Sequence, residues 1–508
     1  MPDNNLIPPI STPSPISPVN PPSSPLPPSP PPSLPLSPPL SQEPPFPINV
    51  QEKTSSPPPL SSSPPPPSPP PPQTGEQTEI VEPFFKKFLP IIIVIGVIIL
   101  ITLIVVKFVL PLFSKTKEPE SITLKYWGLW ESEDIISQVI NDYRQQHPNI
   151  TIQYIRHSPK DYRERLQSAF AKGEGPDIFR WHNTWLPMFK ADLSPLPDTI
   201  MSANEYQSTF FPIAQKDAIS ANKYYGIPLE FDALALYVNE EIFAANPDLT
   251  IPTTWDNLRK TAHALTSEDI KGVALGTSNN VDHFSDVIGL MILQNGGDPA
   301  NPDEETVKSA LKFYTLFTST DRSWDEAMPS STYAFATEKV VMMFAPSWRA
   351  FEIKQLNPQL DFKLYPVPQL PGTNISWATY WFEGVSQKSA YQQQAWEFVK
   401  YLSSKQVSIK MYNSASQTRL FGEPYSRQDL ASSLQEDPYL SAIITQAPSA
   451  QSWPLAARTF DNGLNDRLIK YYQDAINAIL DIQPETEIFT ALSQGVSQIV
   501  SQYKLPSR

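Results

Sequence analysis

The segment "ITLKYWGLWESED", Ile122–Asp134, joins a short alternating run to the acid-rich start of a helical pattern. "ITLKYW" alternates as a strand does, and "SEDIISQVINDYRQQHP" carries one apolar stripe at helical spacing. Ser132 can cap this helix, and Pro148 ends it. Large indole rings beside carboxylates at the exit of a strand indicate a ligand crevice at this point.

The same order repeats downstream. "ITIQYI" predicts a second strand, "DYRERLQSAFAKG" a second helix and "GPDIFRW" a third strand, which is the signature of an open parallel sheet. Ligands of such sheets lie outside the carboxyl ends of the strands. Further on, Thr254 is predicted to cap a helix, with Trp255 packing at its start, and "KVVMMFAPSW" reads as a buried strand. Two blocks of alternation predict two lobes, with the chain crossing between them.

The region before the folded part has a different composition. Of the 59 prolines, 32 fall within residues 1–83, so this tail is expected to be disordered and locally polyproline II; a proline-motif docking segment is the alternative. Residues 88–113, "FLPIIIVIGVIILITLIVVKFVLPLF", predict one transmembrane helix, followed by a short linker at residues 114–120. The late position and length of the run argue against a cleaved secretory signal.

Charge and missing motifs narrow the class of protein. The net charge of -14 argues against nucleic acid or anionic lipid headgroups as partners, and the absence of cysteine excludes thiolate sites. The sequence has no HExxH, P-loop, GxGxxG or GxSxG motif, and its five histidines lack ligand spacing, so neither a metal nor a cofactor is expected. Aromatic rings and carboxylates at strand ends remain, and these suit a carbohydrate, whose C–H faces pack on indole rings.

At this level the folded part resembles the sugar-binding group of extracellular solute-binding proteins of ABC importers, which includes maltose-binding protein. The resemblance covers nearly all of residues 121–505 and rests on blocks in the expected order, among them "AKGEGPDIFRWHNTW", "KYYGIPLEFDALALYVNEEIF", "LMILQNGGDP" and "FATEKVVMMFAPSW". It implies an α/β, two-lobed, periplasmic-binding-protein-like clamshell that binds its ligand without chemical change. Here the disordered proline-rich tail and one transmembrane helix precede it, in place of a cleaved signal or lipidated cysteine.

The resemblance also implies ligand contacts from several loops. The expected contacts are Trp130, Glu131, Trp181, Asn183, Asp232, Phe284, Asp286, Trp348, Arg349, Trp381 and Glu383. The indole rings of Trp130, Trp181 and Trp348 are expected to converge on one space between the lobes. "LYVN" stands where the family has an immediate Tyr-Asn pair, which leaves the ligand specificity open.

The leading hypothesis is a membrane-anchored receptor that captures a sugar and passes it to an ABC permease. Its folded part would lie outside the cell and its tail in the cytoplasm, with Lys86 and Lys87 at the inner face and the bilayer contacted through the single helix. A ligand-sensing ectodomain and, with less support, a glycoside hydrolase using Glu131 and Asp232 are the alternatives. The sugar, its length and its linkage are not specified by the sequence.

Overall fold

The computed structural model describes residues 85–109 and 120–505. The proline-rich tail (residues 1–83), the end of the apolar run (110–113) and the linker up to residue 119 lie outside the described residues. The strands, in chain order, are β1 (Ile122–Gly128), β2 (Ile150–Arg156), β3 (Ile178–His182), β4 (Ile219–Ser220), β5 (Lys223–Tyr224), β6 (Ile227–Pro228), β7 (Leu234–Asn239), β8 (Lys271–Val273), β9 (Val340–Pro346), β10 (Phe362–Tyr365), β11 (Ser376–Trp377), β12 (Trp381–Val385) and β13 (Ala450–Gln451).

The α-helices follow the same order. They are α1 (Phe85–Ile104), α2 (Glu133–Gln146), α3 (Tyr162–Lys172), α4 (Leu186–Phe189), α5 (Ala203–Thr209), α6 (Pro212–Ala218), α7 (Glu240–Ala244), α8 (Trp255–Leu265), α9 (Phe284–Gln294), α10 (Glu305–Ser319), α11 (Ser331–Ala336), α12 (Arg349–Leu356), α13 (Gln392–Leu402), α14 (Lys405–Ala415), α15 (Ser441–Gln446), α16 (Leu464–Leu480) and α17 (Glu485–Tyr503). Short 3-10 helices span Gln428–Leu434 and Ala447–Ser449, and a π-helical segment, Val105–Val109, follows α1. Within the described residues, no helix is long and apolar enough to cross a membrane.

The first lobe is built on a five-stranded sheet in the order β2-β1-β3-β12-β6. β1 runs parallel to β2 and β3, as the strand-helix repeat predicts, whereas β12 runs antiparallel to β3. Alternate residues of β1 (Ile122, Leu124 and Tyr126) are buried, since successive side chains of a strand point to opposite faces. Helix α2 begins where predicted, although the Ser132 side chain makes no capping hydrogen bond there.

The second lobe is built on a four-stranded sheet in the order β10-β7-β9-β8. β7 and β9 pair antiparallel, and every residue of both strands is buried. Runs such as "VVMMFAP" on β9 are therefore apolar on both faces, as expected for strands that helices cover on each side. The predicted cap of α8 is confirmed, because the Thr254 hydroxyl accepts a hydrogen bond from the Asn257 N–H at 3.3 Å.

Among residues 120–505 three crossing segments join the lobes, two of them side by side; the third leads from α14 to α15, where Gln446 donates to the Leu234 carbonyl at 2.7 Å. Ala233 and Ala378 form an antiparallel bridge, and the Thr379 N–H donates to the Asp232 carbonyl at 3.0 Å. The chain leaves the first lobe at the first segment, builds the second sheet, and returns through the second segment into β12. The predicted pair of lobes with the chain crossing between them is thus present, and the crossing segments form the floor of the space between the lobes.

Candidate functional site

A cavity of about 460 Å³ lies between the two lobes, within the range of roughly 300–1,000 Å³ that is common for small-molecule pockets. Its wall is formed by residues of both lobes, of the crossing segments and of two later loops. They are Trp130, Pro159, His182, Glu230, Phe231, Asp232, Pro346, Trp348, Phe351, Glu352, Gln355, Thr379, Tyr380, Trp381, Arg419, Glu423, Pro424, Ala457, Arg458, Thr459 and Phe460.

The first lobe contributes two tryptophans to this wall. Trp130 follows the end of β1, and Trp381 begins β12; their ring centroids lie 5.8 Å apart with the planes at 74°. Trp381 is itself held edge-on by His182 and Trp185, with ring centroids 5.0 and 5.1 Å away. These edge-to-face contacts fix both indole rings in place, so they present a rigid apolar surface to the cavity.

The second lobe presents Trp348, which lies between β9 and α12. Its side chain is 37% exposed, a large exposed fraction for an indole within a packed lobe. The guanidinium of Arg349 lies 4.5 Å from the ring centroid, and the His283 ring packs against the indole at 5.7 Å. The cation and the imidazole hold the tryptophan, and its partly exposed side chain lines the cavity.

Asp232 lies on the first crossing segment, at the floor of the cavity. Its Oδ1 accepts hydrogen bonds from the N–H groups of Ala233 (2.7 Å) and Ser347 (3.1 Å), and its Oδ2 accepts one from the Ser347 hydroxyl (2.9 Å). Burial raises the pKa of the Asp232 carboxyl to about 7, although these hydrogen bonds favour the ionised form. The carboxyl is therefore fixed in orientation and available to a ligand.

Arg180, on β3, lies at the centre of a buried ionic cluster. Its Nη2 lies 2.9 Å from Glu131 Oε1 and 2.6 Å from Glu383 Oε1, and its Nη1 lies 3.8 Å from Glu230 Oε1. Burial raises the pKa of Glu383 to about 7 in spite of the nearby guanidinium, and burial raises the pKa of Glu230 well above its usual range. One guanidinium is thus the shared ion-pair partner of three buried carboxyl groups.

This cluster changes the interpretation of two predicted contacts. Glu131 and Glu383 are not among the residues that line the cavity, because both carboxyls turn toward Arg180. Glu131 and Asp232, the pair considered for hydrolysis, therefore do not share the cavity wall. Glu230, which the sequence analysis did not select, belongs to the ionic cluster and also lines the cavity.

Trp181 and Asn183 are also placed away from the cavity. The Trp181 ring is fully buried and stacked on Phe382 at 4.6 Å. Since side chains alternate along β3, His182 reaches the cavity and Trp181 points to the opposite face. The Asn183 amide donates to the Asp217 carboxylate at 2.8 Å and accepts from the Tyr380 N–H at 3.3 Å. The expected convergence of three indoles on one space is wrong for Trp181.

Phe284, Asp286 and Arg349 support the wall from behind. Phe284 is buried in the core, and Asp286 accepts hydrogen bonds from His283 Nδ1 and Trp377 Nε1, both at 2.8 Å. Arg349 donates to His283 Nε2 at 3.2 Å and pairs with Glu352. None of the three lines the cavity, because each is engaged with neighbouring side chains or buried among them.

The loop from Ala457 to Phe460 is a part of the wall that the sequence analysis missed. Arg458 and Phe460 have φ angles of 60° and 51°, an uncommon backbone region for such side chains. Ala457 N–H donates to Asp286 at 3.3 Å, and Arg458 pairs with Asp282, which fixes the loop on the second lobe. The Asp-Asn-Gly sequence that follows could have predicted a turn here, because these residue types favour such backbone angles.

Within residues 85–109 and 120–505, no group of three or more histidine or acidic side chains is placed to hold a metal ion. Two lobes that enclose a cavity, with aromatic walls around a fixed carboxyl, are the geometry of a two-lobed binding protein.

Comparison with known proteins agrees with this class. The family model of the bacterial extracellular solute-binding proteins matches residues 130–408, and the chain belongs to this family. The resemblance stated from the sequence is thereby confirmed.

Among curated proteins, the maltotriose-binding protein of Pyrococcus abyssi is 20% identical over 297 residues, which are 54% of this chain and 61% of that protein. An ABC transporter extracellular-binding protein of Pyrococcus horikoshii is 29% identical over 151 residues, 29% of this chain and 35% of that protein. The chain thus spans about three fifths of the first relative and about a third of the second.

Solved structures share the fold. A solute-binding protein from Thermotoga lettingae bound with alpha-D-tagatose aligns with a TM-score of 0.59 at 21% identity, covering 75% of this chain and 100% of that one. A cyclo/maltodextrin-binding protein complexed with maltotetraose aligns with a TM-score of 0.62 at 16% identity, covering 78% and 100%. The predicted two-lobed α/β architecture is confirmed at the level of the fold.

Proposed function

We propose that this protein is the substrate-binding component of an ABC-type carbohydrate importer and holds a sugar or oligosaccharide in the interlobe cavity. The observation that carries the proposal is the arrangement of Trp130 and Trp381 on one wall and Trp348 on the other, around the fixed carboxyl of Asp232. Indole faces pack on the C–H faces of a pyranose, and a carboxylate accepts hydrogen bonds from its hydroxyls.

Binding is expected to draw the lobes together. A ligand that touches Trp130 and Trp381 on one lobe and Trp348 on the other makes its full set of contacts only when the lobes approach. Such a ligand favours the closed arrangement by as much as its affinities for the two arrangements differ. The change in shape is what a permease would sense.

We further propose that the chain is tethered to the membrane through residues 88–113, with the binding domain outside the cell and the tail inside. The apolar sequence of the whole run, whose last residues (110–113) lie outside the described part, and the exposure of described side chains such as Ile91 (52%) and Leu103 (59%) support the proposal. A tether of this kind would keep the receptor at a high local concentration beside a permease. Protease treatment of intact cells tests it: loss of the tail with retention of the binding domain would reverse the orientation.

Binding is tested by isothermal titration of the full-length chain in detergent against a panel of mono- and oligosaccharides. Native mass spectrometry of the purified protein would identify a ligand that copurifies. We expect saturable binding to at least one glycan without release of new reducing ends. Absence of heat, of a thermal shift and of a copurified glycan across the panel would contradict the proposed function.

A further inference from the structure

The charged side chains of the cavity wall are unequally compensated. Arg419 pairs with Glu423 at 2.7 Å, and Arg458 pairs with Asp282 behind the wall. Glu352 pairs with Arg349. The cations of the wall and two of its acids are thus already engaged, and the remaining acids of the wall are the two on its floor.

Asp232 is the first of these two. Among residues 85–109 and 120–505 it has no ion-pair partner, and its hydrogen-bond donors are two backbone N–H groups and one hydroxyl, all neutral. A carboxylate oxygen can accept two hydrogen bonds, and Oδ2 accepts only the one from Ser347 in the part of the chain that the structure describes. Asp232 therefore has acceptor capacity at the cavity floor, and its ionised form has no ion-pair partner among the described residues.

Glu230 is the second. It is 6% exposed, and its Oε2 has no hydrogen-bond partner among the described residues. Its nearest cation is Arg180 at 3.8 Å, and that guanidinium makes closer contacts with Glu131 and Glu383. Three carboxyls around one guanidinium, together with Asp232, give the floor an excess of acidic groups.

The surroundings strengthen the effect of this excess on a ligand. The floor is largely shielded from water, so charges there interact more strongly than at an exposed surface. Aromatic rings line the space above it, namely Trp130, Trp348, Trp381, Tyr380 and Phe460. The faces of such rings attract cations as well as sugar C–H groups. A neutral sugar packs on the rings and donates hydroxyl hydrogen bonds to Asp232, whereas an ammonium group on the sugar also compensates the negative charge of an ionised carboxylate at the floor.

We propose that the ligand is an amino sugar, or an oligosaccharide that contains one, whose ammonium group lies against Asp232. This inference rests on the proposed function, because it assigns the chemical class of the sugar that the same cavity takes. Glu230 offers a further polar group at the cavity wall, with its Oε2 unpartnered among the described residues, and the three tryptophans hold the ring faces.

The test compares matched glycans by isothermal titration with the full-length chain in detergent. Each set contains a disaccharide of unmodified hexoses, the same disaccharide with free amino groups, and its N-acetylated form; several linkages and ring stereochemistries are included. We expect the free amine to bind at least about tenfold more tightly than both neutral members of its set. Equal or tighter binding of the neutral members, or binding of neutral glycans alone, would overturn the inference and leave the proposed function standing. No binding of any glycan would instead count against the proposed function.

A pair of variants tests whether the preference for the amino sugar depends on Asp232 at the cavity floor. Asp232→Asn keeps an oxygen for the two backbone N–H groups and removes the charge, so the ratio of affinities for amine and neutral members should fall about tenfold. Asp474→Asn removes the same charge from an exposed side chain that pairs with Lys470, and should leave the ratio unchanged. An unchanged ratio in Asp232→Asn would overturn the assignment of the ammonium group to Asp232.

Discussion

Replacing Asp232 by asparagine should make the difference in stability between variant and wild type depend on pH. Burial raises the pKa of the Asp232 carboxyl from its ordinary 3.8 to about 7. The folded state therefore binds this proton more tightly than the unfolded state, so the contribution to stability is present at low pH and lost as the pH rises through about 7. Between about pH 6 and about pH 8 the loss amounts to about 1.4 kcal/mol, the equivalent of one pKa unit.

Urea unfolding of the full-length chain in detergent, followed by tryptophan fluorescence at the two pH values, measures the effect. The buried histidines titrate in both proteins, so their contribution cancels in the difference. Relative to the wild type, Asp232→Asn should gain about 1.4 kcal/mol of unfolding free energy from the lower to the higher pH. Asp474→Asn, an exposed acid, should show a constant difference. A constant difference for Asp232→Asn as well, or one of opposite sign, would refute the reasoning.

The aromatic wall, the ionic cluster and the packing of the second lobe give three further predictions. Trp348→Ala should weaken glycan binding by about 10- to 100-fold in titration calorimetry, because an anchoring ring is lost. The control Tyr333→Ala removes an aromatic side chain that is 51% exposed and lies outside the cavity wall, and should leave the affinity unchanged. Arg180→Met should lower the free energy of unfolding by about 3–5 kcal/mol, because the buried carboxyls around it lose their cation; an unchanged urea midpoint would contradict this. Gly272→Ala should lower the free energy of unfolding by about 1–3 kcal/mol, because a Cβ there would lie 1.9 Å from the Ala262 carbonyl oxygen. A variant as stable as the wild type would contradict this and show that the backbone shifts to make room.

Much of the fold could be predicted because its signals are local. The alternation in "ITLKYW" and the apolar stripe after it gave β1 and α2 in the right places, and Thr254 caps α8 as expected. Trp255 is buried at the start of that helix, with its Nε1 donating to Gln294 at 2.6 Å. Each of these features depends on residues within a few positions of one another, except the hydrogen bond from Trp255 to Gln294.

The site was less predictable, because its geometry depends on residues far apart in the chain. Trp181 lies one position from His182, which lines the cavity, and a step of one residue on a strand exchanges the two faces. The cluster around Arg180 joins acids that lie 49 and 203 residues away along the chain. Such partners leave no mark in any short stretch of sequence, so Glu131 and Glu383 could not be separated from cavity-facing acids by pattern alone.

The return of the chain into β12 has a consequence for how this molecule can be divided. The first sheet is complete only after every strand of the second has been laid down, since β12 sits between β3 and β6. The uninterrupted stretch that builds the second sheet, β7 to β10, is therefore inserted between strands of the first sheet. A truncation that ends before Trp381 removes a central strand, β12, from the first sheet while keeping all its other strands. The first lobe therefore cannot be produced by expressing the N-terminal part of the chain alone.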